Sequence, residues 1–209
     1  YNIALHHNLS SPDSLVAEIL ALGVKCVPFK CDLNNFNEVA SLIPAVCGEF
    51  SELEVLINNA SIFESSTISK TTEALFDAHF NINFKAPFFL SKAFAAEVGK
   101  GSIINILDTK IRGNNSPHAA YLLAKKALAE FTVMAAKEFA PGIRVNGISP
   151  GLILPQNGKD QGYFDKLAEK IPLKKRGYPQ DVARAVGFFI ESEFITGEIL
   201  SIDGGEMIR

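Results

Sequence analysis

Tyr121 and Lys125 stand four residues apart in the stretch Ala119 to Phe139, the longest uninterrupted helical pattern in the chain, so both side chains share one face a turn apart. An ammonium close to a phenol favours the phenolate and draws its pKa down from about 10 toward the working range of a general acid. The same spacing also suits an ordinary surface pair. What sharpens it is the company it keeps. Asn58-Asn59-Ala60-Ser61 follows the strand-like run Leu53 to Ile57, Pro150-Gly151 follows Arg144 to Ser149, and Asp203-Gly204-Gly205 closes Ile199 to Ile202. Small and turn-forming residues at the carboxyl ends of strands line the ligand crevice of an open α/β sheet, where a cofactor can approach the backbone closely.

The elements that must position these residues alternate. Strand-length apolar runs occur at Ile3 to His7, Val24 to Phe29, Leu53 to Ile57, Ser102 to Leu107, Arg144 to Ser149 and Ile199 to Ile202. Between them, Pro12 to Leu22 carries Leu15, Ile19 and Leu22 on one stripe, with Ser11 as a capping residue and Gly23 as a stop. Asn34 to Phe50 and Thr72 to Val98 are helical as well, the latter as two helices or one bent one. The alternation predicts a single α/β domain over residues 1–209: a Rossmann-type, doubly wound parallel sheet whose strands are apolar on both faces, as in Ile103-Ile104-Asn105-Ile106-Leu107. Leu154 to Gly162 gathers Pro155, Asn157, Gly158, Asp160 and Gly162 without an apolar period, and is placed before a short helix near Tyr163 to Glu169 to act as a lid.

Composition narrows the function classes. A net charge of −3 with no clustered basic run argues against a nucleic-acid surface, and the expected partner is a small molecule. Apolar runs such as Val186 to Ile190 are far too short to cross a bilayer, so a soluble, cytoplasmic protein is expected. Cys26, Cys31 and Cys47 have neither C-x-x-C spacing nor an even count, and His79 and His118 lack partners at ligand spacing, so neither a disulfide framework nor a metal is expected. His6-His7 at a strand end is structural or cofactor-adjacent.

The ordered set Asn58-Asn59-Ala60, Asn83, Tyr121-x-x-x-Lys125, Arg144-Val145-Asn146, Pro150-Gly151 and Asp203-Gly204-Gly205 resembles the short-chain dehydrogenase/reductase superfamily over nearly the whole chain. The resemblance implies hydride transfer with NAD(H) or NADP(H), with Tyr121 as acid/base, Lys125 on the nicotinamide ribose and Asn83 maintaining a water-linked proton path. It also implies cofactor contacts from Asn59, Ala60, Ser61, Pro150, Gly151 and Leu152, adenine contacts from Asp32-Leu33, and a homotetramer built on the long helices. Asp32 could equally be a helix-cap neighbour.

Two departures from the superfamily are informative. The opening strand and its T-G-x-x-x-G-x-G turn, which bracket the cofactor pyrophosphate, have no counterpart, and the chain starts in a strand-like run without Met. A few tens of further residues before Tyr1, and a sheet lacking a central strand, are therefore expected. Second, the serine that usually orients a substrate carbonyl, thirteen positions before the tyrosine, is Asp108. Together with Asn59-Ala60-Ser61-Ile62-Phe63 it resembles the pteridine reductases and dihydromonapterin reductases, in which the Asp works with the Tyr to protonate a pterin nitrogen and the Phe stacks on the ring. An aromatic face suits a flat heterocycle, and a carboxylate can pair with the N–H edge of a 2-amino-4-oxo ring. Phe63, one of 16 Phe, and Asp108 also have plainer readings as core and turn cap.

No acid follows the first strand until Asp13, so Asn8 and Ser10 are the candidates for accommodating a 2'-phosphate, which favours NADPH; Leu9 stands where pteridine reductases have Arg. The reading is an NADPH-dependent dihydropterin reductase. Its rivals are a carbonyl reductase of the 3-oxoacyl-carrier-protein type, with Thr109 as a neighbouring hydroxyl, and a non-catalytic nucleotide-binding scaffold, against which Asn83, Tyr121 and Lys125 argue.

Overall fold

A computed structural model describes residues 1–114, 117–155 and 161–208. Strands β1 (Ile3–His7), β2 (Cys26–Lys30), β3 (Val55–Asn58), β4 (Gly101–Ile106), β5 (Ile143–Pro150) and β6 (Ile199–Ile202) alternate with helices α1 (Asp13–Ala21), α2 (Phe36–Glu49), α3 (Glu73–Phe80), α4 (Ala86–Val98), α5 (Ala119–Phe139), α6 (Gln161–Ala168) and α7 (Pro179–Glu191). All strand pairings are parallel, which brings every strand's carboxyl end to one edge. The α/β architecture expected from the sequence is thus present. Of the expected lid, residues 156–160 lie outside the described residues.

The sheet is not continuous. β1 pairs with β2, and β3-β4-β5-β6 form a second sheet. No ladder bonds join β1 to β3, and Ile57 on β3 is 43% exposed although strand residues in a doubly covered sheet are normally buried. The interruption matches the expected loss of a central strand. One core nevertheless spans both parts: Val39, Leu42, Ile43 and Val46 of α2 pack with Leu90 and Phe94 of α4 and with Ile103 and Val145 of the larger sheet.

Polar pins set the register. The Asn58 amide donates to Asn105 Oδ1 at 2.8 Å and to Ser91 Oγ at 3.2 Å, and Asn105 donates to Thr132 Oγ1 at 2.9 Å, all buried. This network ties β3 and β4 to α4 and α5. The Arg144 guanidinium donates to the last carbonyls of α7, at Phe189 (2.7 Å) and Ile190 (3.0 Å), a placement the helix dipole favours. Asn146 donates to Ile195 O and accepts from Glu198 N, both at 3.0 Å. The Arg144-Val145-Asn146 stretch therefore holds α7 and β6 in place.

Helix α7 has no counterpart among the helices expected from sequence. Its start is marked by Pro179 in the first turn and by Asp181 Oδ2 accepting from Tyr178 N at 2.8 Å; Ala185 and Phe189 then bury against Ile104 and Ile148. Thr72 to Val98, expected as two helices or one bent one, is two helices joined without a break: α3 runs into a π-helical segment, Asn81–Lys85, and on into α4.

Replacing Asn105 by Ala removes one buried hydrogen bond from each of the Asn58 and Thr132 side chains, which keep only Ser91 Oγ and Leu128 O, and is expected to destabilise the fold by ~2–3 kcal/mol, lowering the thermal midpoint by roughly 5–10 °C. A calorimetric scan showing an unchanged midpoint would mean that the network is not a structural pin.

Candidate active site

The acid at the centre of the site is built where β4 ends. Asp108 begins the short 3-10 turn Thr109–Arg112, and its Oδ1 accepts from Lys110 N at 2.7 Å. Its other oxygen accepts from Tyr121 Oη at 2.8 Å. Asp108 thus serves as the expected turn cap through one oxygen, while the other contacts the Tyr121 phenol. Lys125, 2% exposed, donates from Nζ to the Ile106 carbonyl at 2.7 Å and lies 5.9 Å from the Tyr121 ring centroid. Alanines 120, 124, 129, 135 and 136 on the buried side of α5 let the helix approach the sheet closely enough for this reach.

The electrostatics overturn one expectation. Burial first, and then the Asp108 carboxylate with its hydrogen bond, push the Tyr121 phenol well above its ordinary range. Burial draws Lys125 down to about 8, with Asp108 opposing. The ammonium does not produce a phenolate here, because its bond goes to Ile106 and the group facing the hydroxyl is an acid. Tyr121 is therefore a neutral phenol in this state, donating its hydrogen bond to Asp108.

Phe63 is at the site and not in the core. His118 stacks on it at 3.9 Å between centroids, Tyr121 meets it edge-on at 4.6 Å, and Lys110 Nζ lies 5.5 Å from its centroid and 3.6 Å from Asp108 Oδ1. Sequence reasoning passed over Lys110 and considered His118 only as a metal ligand. The signals were positional: Lys110 is two residues beyond Asp108 in its turn, and His118 is the residue that opens the helix carrying Tyr121. Asn83 is fully buried in the π segment and anchors the loop ahead of Phe63, accepting at Oδ1 from Ser61 Oγ (2.8 Å) and Ile62 N (3.0 Å).

The residues assigned to the cofactor sit at the same edge. Asn59, Ala60 and Ser61 follow β3, and Pro150, Gly151 and Leu152 leave β5, where Gly151 N donates to Ile202 O at 3.0 Å. A side chain at Gly151 would meet Asp203 and Glu206 Oε2 at 2.9 Å, so glycine is required for β5 to end this close to the carboxyl-terminal turn. Asn8 leans on Asp32 Oδ1 at 3.4 Å, joining the ends of β1 and β2, while Ser10 is exposed in the following bend. Asp32 also accepts from Asn34 N at 2.9 Å, so it shapes the turn before α2. The Leu33 side chain is in the hydrophobic core, which leaves only its backbone for a ligand. Among the described residues no three His, Cys, Asp or Glu are grouped to hold a metal, and no helix is long and apolar enough to cross a membrane.

A parallel α/β fold with a buried Tyr–Lys pair at the carboxyl edge defines a nicotinamide-dependent oxidoreductase scaffold, and comparison with known proteins agrees. The family model described as enoyl-(acyl carrier protein) reductase matches residues 2–206. The 3-oxoacyl-acyl-carrier-protein reductase of Staphylococcus epidermidis is 29% identical over 98% of this chain and 88% of its own length. Among solved structures, the FolM alternative dihydrofolate reductase 1 of Brucella suis, in complex with NADP, superposes with a TM-score of 0.93 at 29% identity, covering 99% of this chain and 85% of that one. A blue fluorescent protein from a metagenomic library, in complex with NADPH, gives 0.90 at 28% identity, covering 99% and 87%. The chain belongs to the short-chain dehydrogenase/reductase superfamily.

The lowered Lys125 pKa has a signed consequence for stability. Between about 8 and the ordinary 10.5 the unfolded chain holds more protons on this residue than the folded one, so stability contributed here rises with pH by up to about 1.4 kcal/mol per unit. Urea unfolding of wild type and Lys125→Met across that window should show the rise in wild type only; parallel curves would place the ammonium in water.

Proposed function

We propose that the protein is an NADPH-dependent reductase acting on a dihydropterin. The observation that carries the reading is the 2.8 Å contact from Tyr121 Oη to Asp108. A carbonyl being reduced develops negative charge on oxygen, and a carboxylate beside the acid opposes it. A ring nitrogen being reduced instead takes up a proton, and the ring presents N–H donors that a carboxylate can accept. Tyr121 delivers the proton, Asp108 orients the phenol and engages the N–H edge, and Phe63, with one face covered by His118, offers its other face to a flat ring. Likeness to the Brucella protein named an alternative dihydrofolate reductase supports the pterin class.

The donor set fits the cofactor. Buried Lys125 uses one of its three donors on Ile106 O, which leaves two for the hydroxyls of a ribose. Asn59 to Ser61 and Pro150 to Leu152 would flank the nicotinamide end, and Asn8, Ser10, Asp32 and Leu33 the adenosine end. The absence of an acid directly after β1 favours the phosphorylated form. When bound, the reduced cofactor supplies hydride.

The 3-oxoacyl reductase reading is favoured by the family description and the Staphylococcus relative, but the side chain that contacts the Tyr121 hydroxyl is Asp108 and not its hydroxyl candidate Thr109. Ile68, Phe76 and Leu123 flank a groove of about 290 Å³ along α3 and α5, and Val133 and Met134 of α5 are also exposed. This face supports the expected homotetramer. Met134→Glu is expected to shift light-scattering mass toward smaller species; a wild-type monomer would refute the assembly.

NADPH oxidation should depend on dihydromonapterin or dihydrobiopterin and fall on the order of a hundredfold in Asp108→Ala, Phe63→Ala and Tyr121→Phe. Turnover of an acetoacetyl thioester alone would move the protein to the carbonyl-reductase branch.

A further inference from the structure

His79 closes the last turn of α3 with no exposed surface, and it is hydrogen-bonded to Asn83 one turn on. The orientation of that amide is set by the main chain. Ile62 N–H donates at 3.0 Å to Oδ1, which must therefore be the oxygen, and Ile62 O accepts at 3.1 Å from Nδ2. Ser61 Oγ takes the second lone pair of Oδ1 at 2.8 Å. The second N–H of Nδ2 is directed at His79 Nδ1, 3.1 Å away, and an N–H can bond only to a bare ring nitrogen. His79 is thus the neutral tautomer with its proton on Nε2, and every donor and acceptor of the Asn83 amide is engaged.

The other ring nitrogen indicates that His79 is more than filler. Nε2 is buried and closes no hydrogen bond of normal geometry, with only the Glu64 carbonyl bearing on the ring, an arrangement that Leu or Met would avoid while filling the same space. What the imidazole contributes is an acceptor at one point. Through Asn83 that acceptor bears on Ser61 and Ile62, hence on Phe63 next along the chain, and the imidazole itself lies edge-on to the Tyr121 ring at 6.1 Å.

We propose that His79 is a positioning residue of the active site: by accepting from Asn83 it locks the amide that anchors the Ser61–Phe63 loop against the helix, and protonation of its Nδ1 releases that lock. The groups facing it are Glu64 on the loop after β3, His118 and Tyr121 of α5, and Asn83 on its own helix. Burial holds its pKa below 6.5, the Glu64 carboxylate opposes, His118 adds to the lowering and the Glu64 carbonyl opposes. The lock therefore holds at neutral pH and fails on the acid side.

The activity arm of the test relies on the reductase reading above; the other arm does not. In wild-type protein, ¹⁵N NMR of the histidine side chains at neutral pH should show His79 protonated at Nε2 and bare at Nδ1. The opposite tautomer overturns the proposal whatever the substrate is. In kinetics, His79→Leu is expected to lower kcat/KM on the order of tenfold, and His79→Gln, whose side-chain carbonyl can accept from Asn83, to recover most of it. The acid-side fall in wild-type kcat/KM should move to lower pH in His79→Gln, which has no imidazole to protonate. An unchanged acid limb in His79→Gln, or full activity in His79→Leu, overturns the assignment; should neither variant fold, the tautomer decides.

Discussion

An ammonium removed from water is the most demanding group in this molecule. Lys125 lies against the sheet where β4 ends, and β4 supplies what the charge needs: a main-chain carbonyl at Ile106, then the Asp108 carboxylate two residues on. The remaining neighbourhood follows from satisfying it. α5 must run close to β4 and β5, which its alanines permit, and that closeness puts Tyr121, one turn earlier, within hydrogen-bond reach of Asp108. Buried phenol and ammonium and the partly buried Asp108 carboxylate thus occupy one site as a consequence of a single helix-on-sheet packing. A group held this way has little freedom, so the geometry for proton transfer exists before any ligand arrives.

Close packing of a helix on a parallel sheet requires fixed register, and apolar contacts alone specify register weakly. Buried amides supply the missing specification. The Asn58–Asn105–Thr132 chain crosses from β3 through β4 to α5, and Asn146 and Arg144 fasten β5 to α7 and to the start of β6. The partners of each of these side chains are fixed in register, so a one-residue slip would leave several polar groups unpaired in the core. The motif residues of the sequence therefore divide into two physical kinds. Asn58, Arg144 and Asn146 hold elements together, whereas Tyr121, Lys125 and Asp108 face one another at the edge where the strands end.

How much of this is legible in the sequence depends on whether the cause is local. Strand runs, the Tyr121–Lys125 face and the helical character of Thr72 to Val98 follow from periodicity. The helix α7 was missed because its apolar residues read as a short run, while its actual start signal is Pro179 with Asp181. The interruption between β1 and β3 is legible from the motif with no counterpart, the strand and glycine-rich turn, and not from the two runs themselves. The sign of the Tyr121 shift was misjudged because its cause is not local. Helical spacing brings Lys125 near the ring, but which group faces the hydroxyl is settled by Asp108, on a different element. Lys110, His118 and His79 are tertiary in the same sense: each gains meaning only from Asp108, Phe63 or Asn83 folded beside it.

Placing a carboxylate where a neutral hydroxyl would serve a carbonyl changes the site's chemistry in a definite direction. A phenolate left beside Asp108 after proton transfer would be a second anion in a dry pocket, and the same repulsion that raises the phenol's pKa would drive it to regain a proton. Lys125 tempers that repulsion, and it is itself near the limit of holding its charge. The acid is therefore weak as a resting donor and reloads readily. Such a donor is poorly matched to an alkoxide, which must be stabilised as it forms, and better matched to a nitrogen that becomes strongly basic as it receives hydride. On the proposed reading, that match of basicities is what Asp108 in place of a hydroxyl would contribute.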